Sequence, residues 1–159
     1  MNLLDRLPPT TARVENQTAP ELNDAIRRRT DGAVIRLESA PPEEIGARLQ
    51  KLGREWDVER LLQTNASILC LVGLGLGVRV DKRFLFLPAA VFSFLAQHAL
   101  QGWCPPIPVF RRLGVRTMHE IERERFALKV LRGDFDRLPP AGAAPPSERV
   151  RAVLAAVDA

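Results

Sequence analysis

The chain has no tyrosine, two histidines, two cysteines and two tryptophans among its 159 residues. Two thiols are too few for the disulfide framework that holds small secreted domains together. No second ligand stands at helical spacing from His98, so no metal site is expected, and no motif calls for a cofactor. The net charge is +4 and the pI 9.8, a balance that suits nucleic acid. Yet the basic residues have no stacking aromatics among them, so nucleic acid is not an expected partner. The opening MNLLDRLPP carries an early acid and few apolar positions before two prolines, which does not fit a signal peptide.

The most telling absence is charge. No residue between Arg60 and Arg79 carries one, and neither does any residue from Phe84 through Phe110. An uncharged run of about 18 residues makes ~27 Å of helix at ~1.5 Å per residue, against a hydrocarbon core ~30 Å thick. The two apolar blocks are joined by a tight basic turn, Arg79-Val80-Asp81-Lys82-Arg83. The pattern predicts an all-α protein: an integral membrane hairpin of two transmembrane helices, with amphipathic cytoplasmic helices on both sides. A mean hydropathy of −0.08 over the whole chain rules out a polytopic transporter. The competing reading is a soluble helical bundle with these blocks as its core. Against it, residues 84–95 would be apolar on every face of a helix.

Residues 1–17, with Pro8-Pro9-Thr10-Thr11, read as a disordered start. Residues 18–59 read as a helical arm. It opens on a Thr18-Ala19-Pro20-Glu21 capping box, bends near Thr30-Asp31-Gly32 and restarts at Pro41-Pro42. Ile45, Leu49, Leu52 and Trp56 then form one apolar stripe, and no turn signal separates Trp56 from Leu61, so this helix is expected to run straight into the hairpin of residues 60–104. Cys104-Pro105-Pro106-Ile107-Pro108 cannot continue a helix. Within 105–135 a second capping box, Thr117-Met118-His119-Glu120, opens a helix carrying Met118, Ile121, Leu128 and Leu131 on one face. Residues 136–159 read as a Pro/Ala-rich tail with a short helix capped by Ser147.

Orientation follows from Lys and Arg near the membrane ends. The turn carries three, while Arg48, Lys51, Arg54 and Arg60 before the hairpin and Arg111, Arg112, Arg116, Arg123 and Arg125 after it make nine. Both termini are expected in the cytoplasm. Trp56 and Trp103 would sit at one interface, with Arg111 and Arg112 at headgroup level.

Gly73-Leu74-Gly75-Leu76-Gly77 lacks the spacing of a phosphate-binding loop. In an apolar helix, Ala66, Cys70, Gly73 and Gly77 instead make a close-packing ridge, within the hairpin or between two copies, and Ala89, Ser93 and Ala96 offer a complementary small face. Asn65, Gln97, His98 and Gln101 are expected to form an interhelical polar cluster or, on a sharper reading, to line a path for a small solute or a proton. Cys104, near Arg111 and Arg112, is the thiol candidate, because a positive field favours the reactive thiolate. No base or resolving cysteine is evident, so no catalytic residue is assigned. The partners this leaves are the lipid bilayer, a second copy of the chain and a cytoplasmic protein.

The glycine-rich first block (residues 66–78), the turn, the second block (84–101) and the close Gly102-Trp103-Cys104-Pro105 together resemble the YgaP-like inner-membrane domain, a bacterial family largely of unknown function. The trailing RRLGVRT, EIERERFALK and LRGDF segments resemble a subgroup with longer soluble arms, and the likeness covers roughly residues 45–135. It implies a bacterial inner-membrane protein, and the reading of the residues makes it a small, multi-pass and non-enzymatic one, an anchor or assembly module. Some members of that family carry a rhodanese domain. The alternative it implies is therefore thiol or sulfur handling through Cys104, although no rhodanese domain or active-site loop is present here.

Overall fold

The computed structural model describes residues 7–143 and 145–158, and every regular element among them is helical. The α-helices are α1 (Pro20–Arg36), α2 (Pro42–Leu52), α3 (Val58–Arg79), α4 (Phe86–Gln101), α5 (Ile107–Arg112), α6 (Met118–Arg132) and α7 (Pro146–Asp158). The chain divides into two compact units, one drawn from Met1–Arg29 and Trp56–Ile121, the other from Thr30–Glu55 and Glu122–Ala159.

The first unit is built on the hairpin of α3 and α4. Asp57 caps α3 by accepting the Arg60 N–H at 2.9 Å. The Val58 N–H goes to the Arg116 carbonyl at 3.0 Å instead of continuing α2. The expected continuous helix from the arm into the hairpin is therefore broken at residues 53–57, because Gly53 ends one helix and Asp57 begins the next. A stripe of Val58, Leu62, Ala66, Cys70, Gly73 and Gly77 is the buried side of α3. At the turn, Asp81 accepts the Arg83 N–H at 2.8 Å and opens a 3-10 helix, Lys82–Leu85, that feeds α4. Gly102 ends α4 at φ +81°, with its N–H on the His98 carbonyl at 2.8 Å. The prolines that stop α4 also start α5, with Pro106 at its N-cap, an element the sequence reading missed.

α3 and the helical run Lys82–Gln101, the 3-10 helix together with α4, are long and apolar enough to cross a membrane, and only 28% and 11% of their apolar windows are buried within the protein. Phe86 is 78% exposed, Leu71 68% and Val78 82%. Isolated exposed leucines are ordinary, but two whole helices of them are not.

The base of the hairpin holds a small core of Val14, Val58, Leu62, Cys104 and Ile107. Val14 alters the expected loose start: over residues 7–17 the chain makes a turn and a 3-10 helix, Glu15–Gln17, and its apolar side chain is buried. Residues 1–6 of that expectation lie outside the described residues. Thr18 does not cap α1, since its hydroxyl donates to the Val14 carbonyl at 2.7 Å. The predicted bend at Gly32 is likewise absent, and α1 is one helix from Pro20 to Arg36.

In the second unit, Ile45 and Leu52 of α2 are buried; Trp56, expected on the same stripe, falls outside that helix in the first unit and is exposed. Arg48 donates from Nε to the fully buried Glu124 of α6 at 2.7 Å. Leu128 is buried on the same helix, Met118 and Leu131 are exposed, and the buried Lys129 ammonium donates to the Val157 carbonyl of α7. Ser147 lies inside α7 rather than at its cap.

Candidate functional site

The ionisable groups nearest the apolar hairpin meet at its base. Arg13 donates from Nη2 to Glu59 Oε1 at 2.8 Å. His98 Nε2, from the last turn of α4, lies 3.0 Å and 2.9 Å from the two oxygens of the same carboxylate. The His98 side chain is 5% exposed, and neither its Nδ1 nor Arg13 Nε has a partner. Glu59 thus holds two nitrogen groups from two different segments. Gly102 fixes the neighbouring backbone: a Cβ there would stand 2.2 Å from the Arg13 carbonyl oxygen. Only glycine suits both that approach and the left-handed φ.

Beside this cluster a second network ties the start of the chain to α5 and α6. The fully buried Arg111 guanidinium donates to both oxygens of Glu120 at 2.7 Å, to Asn23 Oδ1 at 2.9 Å and to the Val115 carbonyl at 2.9 Å. Glu120 completes the expected capping box, accepting the Thr117 N–H at 2.8 Å while its own N–H donates to Thr117 Oγ1 at 3.2 Å. Burial works to raise the Glu120 pKa, but the hydrogen bonds from Arg111 and the Thr117 N–H outweigh it and hold the carboxyl below its ordinary range. Glu15 accepts from the Thr117 hydroxyl and lies 3.2 Å from His119 Nδ1.

No family model matches the chain, and no curated protein or solved structure matches it either.

Several expected sites are rearranged. The ridge of Ala66, Cys70, Gly73 and Gly77 is not among them: it is buried and packs within the hairpin, where a Cβ on Gly73 would lie 2.6 Å from Pro88 Cδ of α4 and one on Gly77 2.5 Å from Leu85 Cδ2 of the 3-10 helix. Ala89, Ser93 and Ala96 do not complement it. They are exposed, because Pro88 is the buried residue on that turn of α4 and occupies the place a small face was expected to fill. Of the expected polar cluster only His98 is buried, and its partner is Glu59; Asn65 and Gln101 are exposed and Gln97 is half-buried. Arg111 is not a headgroup anchor, since its charge is spent on Glu120 inside the fold, while Arg112 remains exposed. Trp56 is exposed beneath the Arg60 guanidinium, 4.5 Å from the ring centroid, and Trp103 packs edge-on to Phe94 at 6.3 Å.

Both cysteines are free and buried. Burial pushes the Cys104 thiol up, opposite to the thiolate-favouring field expected from Arg111. An apolar cleft of about 450 Å³ opens between α3 and α4, and Ala66, Leu69, Val91, Phe94, Asn65 and Cys104 are among the residues that line it. Among the described residues no three His, Cys, Asp or Glu side chains are placed to hold a metal ion.

The sequence reading missed Arg13 and Glu59. A signal was present, because His98 is the sole ionisable side chain in the second apolar block. An ionisable group at such a place needs a partner at the same depth on the facing helix. Glu59, one residue before the first block's charged boundary, is the acid at that level.

Proposed function

We propose that this chain is a small inner-membrane hairpin protein, a non-enzymatic anchor or assembly module whose α3 and α4 span the bilayer with both termini in the cytoplasm. The observation that carries the reading is the exposure of α3 and α4: two helices of spanning length whose apolar surface is left mostly uncovered by the protein itself. In water that surface is costly at ~25 cal/mol per Å². In lipid it is at home, and the backbone is satisfied within each helix. A soluble bundle would need these helices in its core, and their exposure weighs against it. The nine-to-three balance of basic residues supports the orientation. The resemblance to the YgaP-like domain rests on the quoted residues alone and points the same way.

Because the glycine ridge is occupied within the hairpin, a second copy or a cytoplasmic partner has to meet other surfaces. Sulfur handling through Cys104 is the weaker reading, since a buried thiol with a raised pKa is a poor nucleophile. Topology tests the proposal directly. An Asp81→Cys thiol should react with a membrane-impermeant maleimide added outside intact spheroplasts, while thiols placed at either terminus should react only after permeabilisation. The opposite pattern, or equal labelling of all three, overturns it.

A further inference from the structure

One carboxylate at the base of the hairpin serves two partners. Arg13 and His98 both reach Glu59, and they arrive from different elements: Arg13 from the segment before α1, His98 from the end of α4. We propose that Glu59 and His98 form a binding site for a single proton, and that filling it frees the Arg13 side chain and loosens residues 7–12 from the hairpin.

The argument is one of charge count in a confined site. With His98 neutral, Glu59 and Arg13 make a neutral ion pair, and His98 contributes a hydrogen bond. Adding a proton to the ring puts two cations on one carboxylate. The site is then net positive, and like charges a few ångströms apart repel. One partner has to leave. His98 is buried and fixed in α4, whereas Arg13 sits on a non-helical segment, is partly exposed and, besides Glu59, makes a long 3.5 Å hydrogen bond from Nη1 to the Ala99 carbonyl. The departure of Arg13 leaves a neutral Glu59–His98 pair behind. Arg13 Nε has no partner in the present arrangement and gains solvent on release.

The neighbouring charges are committed elsewhere. Asp57 caps α3, Arg60 stacks on Trp56 and Arg111 is held by Glu120. His98 is the sole ionisable group on α4. One other histidine touches the segment, His119 against Glu15. Its protonation strengthens that ion pair, so it tightens the segment as the pH falls, opposite in sign to the proposed release.

The test is carried out on the full chain in lipid nanodiscs, with a nitroxide on Thr11→Cys, both natural thiols being buried. Electron paramagnetic resonance reads the ratio of mobile to immobilised label. Between pH 7.5 and 5.5 the ratio should rise, by at most about tenfold per pH unit because one proton is bound. His98→Gln keeps a hydrogen bond to Glu59 without the charge and should hold the label immobilised throughout. Arg13→Gln, which leaves the Glu59–His98 pair intact, should give a mobile label already at pH 7.5 and no further response. His119→Gln should respond as the wild type does. A pH-independent ratio in the wild type, an unchanged response in His98→Gln, or a response lost only in His119→Gln overturns the proposal.

Discussion

Three glycines in one helix give the sharpest test of how the hairpin packs. Gly73, Gly75 and Gly77 are spaced by two, yet an added methyl meets different surroundings at each. At Gly73 the new Cβ lies 2.6 Å from Pro88 Cδ and 3.2 Å from Leu87 Cβ, whereas at Gly75 nothing stands within 4 Å. Replacing glycine by alanine inside a helix is worth ~1 kcal/mol in propensity. Gly75→Ala should therefore stabilise by about that amount. At Gly73 the gain is opposed by overpacking, which costs ~1–3 kcal/mol. A proline ring atom cannot rotate away, so the upper part of that range applies and the net effect is a loss of about 1–2 kcal/mol. Gly77→Ala should fall between the two, because its close contact is the end of the Leu85 side chain, itself 41% exposed and free to move. Unfolding by SDS titration in mixed micelles, followed by circular dichroism, reads the order. Adding Pro88→Ala should rescue Gly73→Ala with a coupling of ~1 kcal/mol or more. If Gly73→Ala and Gly75→Ala agree within about 0.5 kcal/mol, the helices do not touch where described.

Other outcomes are equally specific. Arg111→Met should cost ~3–5 kcal/mol, because it strands the Glu120 carboxylate in a buried site, and the Arg111→Met/Glu120→Leu pair should recover part of that loss in a thermal melt. Glu120 has a lowered folded-state pKa, so its contribution is fully present above the ordinary value of 4.5 and is lost as the pH falls below it. Glu120→Gln should flatten the acid limb of the stability curve, and an unaltered limb would place the titration elsewhere. Cys104, buried at the core with a raised pKa, should react with maleimide at pH 7 at least ~10-fold more slowly than a thiol at the exposed Ser147→Cys position, which lies outside both apolar helices. Equal rates would reopen a chemical role for it.

The hairpin itself was legible because charge and its absence are local properties of the chain. A run without formal charge long enough to make a spanning helix is visible whatever the tertiary fold, and the Thr117–Glu120 capping box likewise closes within one turn. Partners at long range were not legible. Nothing local to Arg111 says that its guanidinium turns inward to Asn23 and Glu120, so it reads as a headgroup anchor. Arg13, distant in sequence from the hairpin it closes, lies in a stretch whose prolines and threonines suggest disorder; a single valine next to it, Val14, reverses that through burial. The small ridge on α3 was found, but its complement was misplaced, because a search for small residues overlooks Pro88, a ring flat enough to lie against a glycine. The break at residues 53–57 was missed for a related reason. Asp57 reads as one more surface charge until its carboxylate is seen to cap α3.

Everything functional rests on the solvent around α3 and α4. An alkaline carbonate wash of isolated membranes, which strips peripheral proteins and leaves spanning ones, tests that point on the intact chain. The protein should stay in the membrane pellet and need detergent for release; its recovery in the supernatant as a stable monomer without amphiphile would contradict the account.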